Sequence, residues 1–430
     1  MRLYGAIATL PAMLERPTKT GNSTLNDSSI GGGRSLGPIL MLTFLASVST
    51  GAVNNNVFFI AQEQYGFGRG LNLALALLVG AVYWPAALAA GPVLRRLAKR
   101  SNRVTTRKAL VGLMVAMALA CGLPVVAKTQ TALWVFVVVY IPMMGALWPI
   151  VEAYLSGGRR GGTLRQAIGS FNLVWAIAVV AAAWGMAPML GLGRPLGVFL
   201  GLGVVHLLCI VPVLRLGDEP PRHADESNQP HPESYTGLLR CFRWLLVLSY
   251  LLMATISPIM PWRLDKLGLA IGWQLPMFSA WMVSRVAMFW LLQRWGGWHG
   301  RWRTPAWSGS LLVAGFLGVF LTGSVPAVIA SLMMFGVGVG TIYAAGLYYA
   351  MEVGGAEVDA GGKHEAMIGI GYTIGPGLGL VALAIAGQDQ TGDAFARALS
   401  LLTGLVAIGF VAGALISANR AIRNTKKQED

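Results

Sequence analysis

Residues 145–169 read GALWPIVEAYLSGGRRGGTLRQAIG, and residues 345–369 read AGLYYAMEVGGAEVDAGGKHEAMIG. The offset is 200 residues in a chain of 430. Across it Leu147, Glu152, Gly161, Gly162, Ile168 and Gly169 recur as Leu347, Glu352, Gly361, Gly362, Ile368 and Gly369. Each copy closes an apolar run on a glutamate, crosses a short glycine-rich charged segment and enters another apolar run. Such an echo at about half the chain length signals an internal duplication.

The rest of the sequence supplies the runs that the duplication implies. Apolar residues make up 55% of the chain and charged residues only 12%, against about 25% charged in soluble domains. The mean hydropathy is +0.60. A membrane-spanning helix needs about 20 mainly apolar residues. Twelve runs meet that need: 37–61, 71–93, 109–127, 131–152, 166–190, 195–214, 243–261, 271–292, 307–323, 326–351, 366–386 and 395–417. Six precede and six follow the polar segment 215–240, which contains DEPPRHADESNQPHPES (218–234). Its proline, its charge and its lack of apolar periodicity read as a linker.

The fold class is therefore an all-α membrane protein of twelve transmembrane helices, in two six-helix halves related by a pseudo-twofold axis. The expected organisation is a flexible cytoplasmic tail (1–35), an N-terminal half (36–214), a cytoplasmic linker (215–240), a C-terminal half (241–418) and a cytoplasmic C-terminal tail (419–430). The apolar patch at residues 1–14 is short and interrupted, unlike a signal peptide.

A formal charge of +15 raises the question of nucleic acid. Its distribution answers it. With the N-terminus inside, the segment Arg95–Lys108 alone places seven cations and no anion on the cytoplasmic face. That asymmetry follows the positive-inside rule, puts both termini in the cytoplasm and points to lipid headgroups, not nucleic acid, as the basic surface's partner. The expected location is the plasma membrane, or the inner membrane in a bacterium, with the protein multi-pass and monomeric. Cys121, Cys209 and Cys241 form no metal or redox spacing. No cofactor and no metal is expected, and no P-loop for ATP is present.

Parallel six-helix halves are a secondary-transporter architecture, and over nearly its whole length the chain resembles the major facilitator superfamily. The family's Gly–x3–Asp–x2–Gly–basic–basic loop between its second and third helices matches GPVLRRLAKR at Gly91, Lys99 and Arg100, while Arg95 replaces the Asp and Ala98 the second Gly. GYTIGPGLG (371–379) is similar to the Gly–x3–Gly–Pro–x2–Gly signature of proton-coupled exporters, here on the eleventh helix instead of the fifth. Close helix packing at glycine is the other meaning of that stretch. Glu152 with Arg159 resembles the Glu–x6–Arg element of the sugar-porter branch. The resemblance implies alternating access around a central cavity flanked by the eighth helix.

Candidate functional residues follow. WMVSRVAMFW (281–290) places Arg285 in a run otherwise free of charge from Ile271 to Leu292. An intramembrane cation costs roughly 2.5 kcal/mol or more and usually faces a cavity or the bundle interior. No carboxylate lies at matching depth, so the expected counter-charge is the substrate, a carboxylate or phosphate gripped by the guanidinium fork. The competing reading is an arginine that snorkels to headgroups or packs on Trp281 or Trp290. Of Asn54, Asn55 and Asn56, successive residues diverge by about 100° on a helix, so one or two line the cavity, with Asn172, Trp281 and Tyr372 as further contacts.

Glu152 and Glu352 are the carboxylates best placed for gating or proton coupling. The loops that follow them carry opposite charges, which suggests a latch between Arg159, Arg160 and Arg165 on one half and Glu357, Asp359 and Glu365 on the other. The expected function is transport of a small organic anion or polar metabolite, with proton coupling open. The alternatives are a proton-coupled multidrug or metabolite exporter, a membrane enzyme using His364, or a non-transporting sensor with the same fold.

Overall fold

The computed structural model describes residues 36–101, 104–159, 161–221, 232–354, 358–387 and 392–429. The expected N-terminal tail lies outside these residues. Every regular element among them is helical, and twelve helices are long and apolar enough to cross a membrane. In the first half these are α1 (Gly37–Tyr65), α2 (Arg69–Arg100), α3 (Thr106–Ala127), α4 (Gln130–Ser156), α5 (Gly161–Gly191) and α6 (Gly197–Leu214). In the second they are α7 (Glu233–Lys266), α8 (Ile271–Arg294), α9 (Arg303–Leu321), α10 (Val325–Gly354), α11 (Val358–Ala386) and α12 (Asp393–Glu429). The twelve apolar runs of the sequence are these twelve helices.

Several helices overrun their apolar stretch. The basic segment expected as a loop is helical: α2 continues through Arg95 and Lys99 to Arg100. Cations in a last turn suit the negative end of the helix dipole, so the helix has no reason to stop at the membrane edge. For the same reason α12 continues to Glu429 across the segment expected as a tail. Helix α7 begins at Glu233, inside the segment expected as linker.

The part of that segment just after α6 is ordered against the first half. Asp218 pairs with Arg107 at 2.8 Å, and the Tyr154 hydroxyl donates to the carbonyl of Gly217 at 2.8 Å. Glu219 accepts from the backbone N–H of Thr106 at 3.0 Å and from its hydroxyl. A carboxylate on the orphan N–H groups of a helix start is stabilising by charge and by hydrogen bond. Glu219→Ala is expected to lower stability by about 1 kcal/mol, as loss of a helix cap does. Thermal unfolding should show a fall of a few degrees, with Glu219→Gln, which keeps an acceptor, close to wild type.

Small residues set the seam between the halves. Helix α2 packs against α11 along its length: Gly70 meets Leu383, Leu73 meets Gly379, Gly80 lies on the backbone of Tyr372 and Thr373, and Gly362 lies on Ala87. A Cβ on Gly80 would fall 2.4 Å from the Thr373 nitrogen, so only glycine permits this approach. Glycine contacts of this kind let membrane helices pack where hydrophobicity gives no preference over lipid. The exporter-like stretch has the same use. Gly371 and Gly375 sit on the backbone of α7 at Val247 and Leu251, and Gly379 sits on Leu73. Helices α5 and α8 form a second seam, where Gly191 and Gly272 meet at their ends. Between these two seams the halves leave a central cavity.

Candidate functional site

Helix α8 carries Arg285 inward, not toward headgroups. Only 1% of the residue is exposed, so snorkelling is overturned. The guanidinium carbon lies 4.4 Å from the ring centroid of Trp175, 4.8 Å from Tyr343 and 5.3 Å from Phe289. Tyr250 and Trp281 follow at 5.8 Å each, whereas Trp290 stacks on Arg294 instead. One guanidinium nitrogen donates to the Tyr250 hydroxyl at 3.1 Å, and Nε has no partner. Among the described residues no carboxylate stands within ion-pair distance of Arg285. Aromatic faces attract a desolvated cation by about 2 kcal/mol, but they do not neutralise it. The box holds a charge whose counter-ion the described residues do not supply.

This box forms one wall of a cavity of ≈ 90 Å³, several times the ~10–15 Å³ that one water needs. Both halves contribute to it. Asn54 and Asn55 come from α1, Tyr83 from α2, Trp175 from α5, Tyr250 from α7, Trp281 from α8, and Glu365 and Tyr372 from α11. Two consecutive asparagines reach the cavity because α1 changes to a π-helical turn at Ala52–Asn56. Such a turn inserts a residue and locally alters the angle between neighbours, and it is frequent at functional sites. The Asn54 amide donates to the Tyr372 hydroxyl at 2.6 Å, joining the two halves. Asn55 donates to the Gly51 carbonyl at 3.2 Å.

Two of the residues expected at the substrate site lie elsewhere. Asn56 turns away, its amide 3.7 Å from the Met186 sulfur. Asn172 does not line the cavity and accepts from Trp175 Nε1 at 3.4 Å. Both side chains point off the cavity face of their helices, Asn56 as the last residue of the π turn and Asn172 on α5. Tyr83, Trp175, Tyr250 and Tyr343 belong to the site although the sequence did not single them out. Their signal was weak, a polar-tipped aromatic in the middle of a span rather than at its edge.

Of the residues in the latch that the loop charges suggest, Arg159, Arg165 and Glu365 are described, as is Glu352. Arg159 donates to the carbonyl of Leu155 at 2.6 Å, closing its own helix end, and partial burial lowers its pKa. Arg165 is exposed and lies over the ring of Tyr348 on α10 at 5.6 Å, so its contact across the halves is with an aromatic face. Glu352 is half-buried on α10. The side chains of Arg160, Glu357 and Asp359 lie outside the described residues. Glu365 is not a loop charge: it sits two turns inside α11, 5% exposed, and accepts from the Tyr83 hydroxyl.

Glu365 has a neighbour from the other half. Glu152 on α4 is 2% exposed, and neither of its carboxylate oxygens has a hydrogen-bond partner. Donor atoms of Glu152, His364 and Glu365 lie within 4.8 Å of one another, which is the one group of three among the described residues able to gather around a cation. Gly361 makes room for it: a Cβ there would sit 2.7 Å from a Glu152 oxygen. His206, by contrast, is a packing residue held by the Tyr140 hydroxyl at 2.8 Å.

No family model and no curated protein matches the chain. Solved structures do. The nucleoside transporter NupG is similar at 15% identity, with 88% of this chain and 98% of that chain covered and a TM-score of 0.61. A POT family transporter in complex with a thioalcohol-conjugated peptide is similar at 12% identity over 90% and 96% of the two chains, with a TM-score of 0.67. The human organic anion transporter MFSD10 is similar at 14% identity over 88% and 99%, with a TM-score of 0.59. The chain has the fold of the major facilitator superfamily.

Proposed function

We propose that the protein moves a small organic anion across its membrane by alternating access, with Arg285 as the ligand of the anionic group. The observation that carries this reading is the unpaired, fully buried guanidinium facing a cavity between the two halves. A buried cation left without a counter-charge is expensive, and a carboxylate or phosphate gripped by the fork removes that cost. The aromatic walls suit an apolar body on the same ligand. Alternating access is supported by the fold, whose solved neighbours are transporters of differing substrates. The excess of Lys and Arg in the segments expected on the cytoplasmic side supports a plasma-membrane or bacterial inner-membrane protein with cytoplasmic ends. Glycine packing accounts for the stretch 371–379, so no observation favours the exporter reading.

A thermal-shift screen of the purified protein against organic anions, sugars and lipophilic cations tests this. A ligand present at about 100 times its Kd adds about 2.7 kcal/mol to the folded state. Stabilisation confined to anions is the expected result. Stabilisation by lipophilic cations alone would turn the assignment to export. Product formation from a bound anion would turn it to an enzyme, and binding with no flux in liposomes to a sensor.

A further inference from the structure

Glu365 lines the cavity and Glu152 lies beside it, yet the anion reading assigns neither a task. They come from opposite halves and meet at the end of the bundle where α4 finishes and α11 begins, beside the cavity that Glu365 lines. Both are at least nine-tenths buried. Glu365 has one donor, the Tyr83 hydroxyl. Glu152 has none, although its two oxygens are fully buried. Two ionised carboxylates this close and this buried repel strongly, because Coulomb energies grow as the local dielectric falls. A carboxylate can hydrogen-bond another carboxylate only through a proton.

We propose that Glu152 and Glu365 form a proton-binding site that ties the two halves together at this end of the bundle. One proton held between them supplies the hydrogen bond that Glu152 lacks, and it removes one of the two negative charges. The remaining charge sits on the pair itself, where the Tyr83 hydroxyl donates to Glu365. Loss of the proton leaves two carboxylates facing each other across the seam and pushes the halves apart. Proton release therefore opens this end of the cavity, and proton binding closes it. This inference rests on the alternating-access reading for its purpose, but the site itself does not require a transported anion.

The groups facing the pair are consistent with that role. Tyr83 on α2 donates to Glu365. His364 precedes it on α11, with Arg243 of α7 acting on that histidine. Tyr250 on α7, Tyr343 on α10 and Tyr372 on α11 complete the surroundings, with Arg285 on α8 beyond them. Neither Arg243 nor Arg285 forms an ion pair with either carboxylate among the described residues. Gly361 and Gly362 bring α11 close enough for the contact, against Pro149 and Ala87 respectively.

The test uses the full chain in lipid. Spin labels at Gly162→Cys and Lys363→Cys report the separation of the halves at this end; both positions are exposed, while the native cysteines are buried. The expected result is a short distance at acid pH that lengthens as the pH rises. Glu365→Gln and Glu152→Gln should each hold the short distance at every pH, because a neutral amide cannot repel the remaining carboxylate. Infrared difference spectra across the same pH range should show a protonated carboxylic-acid band that each Gln variant removes. These variants keep the side-chain volume, and size-exclusion chromatography shows whether they fold.

A distance that ignores pH in the wild type, or a pH response that survives in both Gln variants, would overturn the proposal. So would a distance that follows added Zn²⁺ or EDTA and not pH, which would make the cluster with His364 a metal site. A positive result here together with no anion binding would sink the anion reading alone and leave the proton site standing.

Discussion

Arg285→Met abolishes stabilisation by organic anions and lowers anion affinity roughly 30-fold to several-thousand-fold. The range follows from the about 2–5 kcal/mol lost when one partner of a buried charge pair is truncated, at about 1.4 kcal/mol per tenfold. The unliganded protein should behave differently. Arg285 has one hydrogen bond and no counter-ion in its aromatic box. A methionine of similar length fills that space without a charge to desolvate, so unfolding of the apo protein should be unchanged or occur at a higher temperature. A purely structural arginine would show the reverse, with apo stability lost and ligand response kept. Arg285→Lys adds a finer test. It keeps the charge but not the planar fork, so it should retain a weakened response to anions. Thermal unfolding with and without anion, across the three proteins, reads all of this in one series.

Gly336→Val prevents the protein from accumulating as a folded monomer. Gly336 lies on α10 where it crosses α8, and a Cβ there would sit 1.9 Å from the Trp281 carbonyl oxygen and 2.2 Å from Ser284 Oγ. The clash is with backbone, so no rotamer relieves it. Ser284 is itself tied across the contact, donating to the Met333 carbonyl at 2.8 Å. One turn along, Gly340 faces Arg285 with 3.0 Å between a hypothetical Cβ and its Cγ. This packing therefore also holds the functional arginine in place. Overpacking costs about 1–3 kcal/mol and sometimes more, and valine adds to what alanine already incurs. The matched control is Gly185→Ala on α5, where a Cβ meets nothing within 4 Å. It should be neutral or slightly stabilising through helix propensity. Yield and monomer fraction on size-exclusion chromatography separate the two.

The fold was legible because membrane insertion leaves a coarse signature. A run of about 20 apolar residues is unambiguous, and the duplication around Glu152 and Glu352 gave the division into halves. Helix ends were not legible, since α2 and α7 carry charge beyond the membrane edge and hydropathy reports the membrane and not the helix. Arg285 stood out as a charge among apolar residues. Its box did not, because Trp175, Tyr250 and Tyr343 look like any aromatic in a span, and a helix apolar all round offers no periodicity from which to read its phase. Asn54 and Asn55 needed the π turn, which leaves no mark in the sequence. Glu365 was misread for a different reason. Lys363 and His364 precede it, so it resembled loop charge, and its partner Glu152 is contributed by the other half of the chain. Only folding brings them together.

The central claim is that the chain carries anions through the site of Arg285. The direct measurement is counterflow in liposomes: the full chain is reconstituted with an anion from the stabilising set inside, and uptake of the labelled anion is followed from outside. Wild-type protein should show a transient accumulation that Arg285→Met lacks and that sugars or lipophilic cations do not support. Equal accumulation by wild type and Arg285→Met, or accumulation with no anion inside, would contradict it.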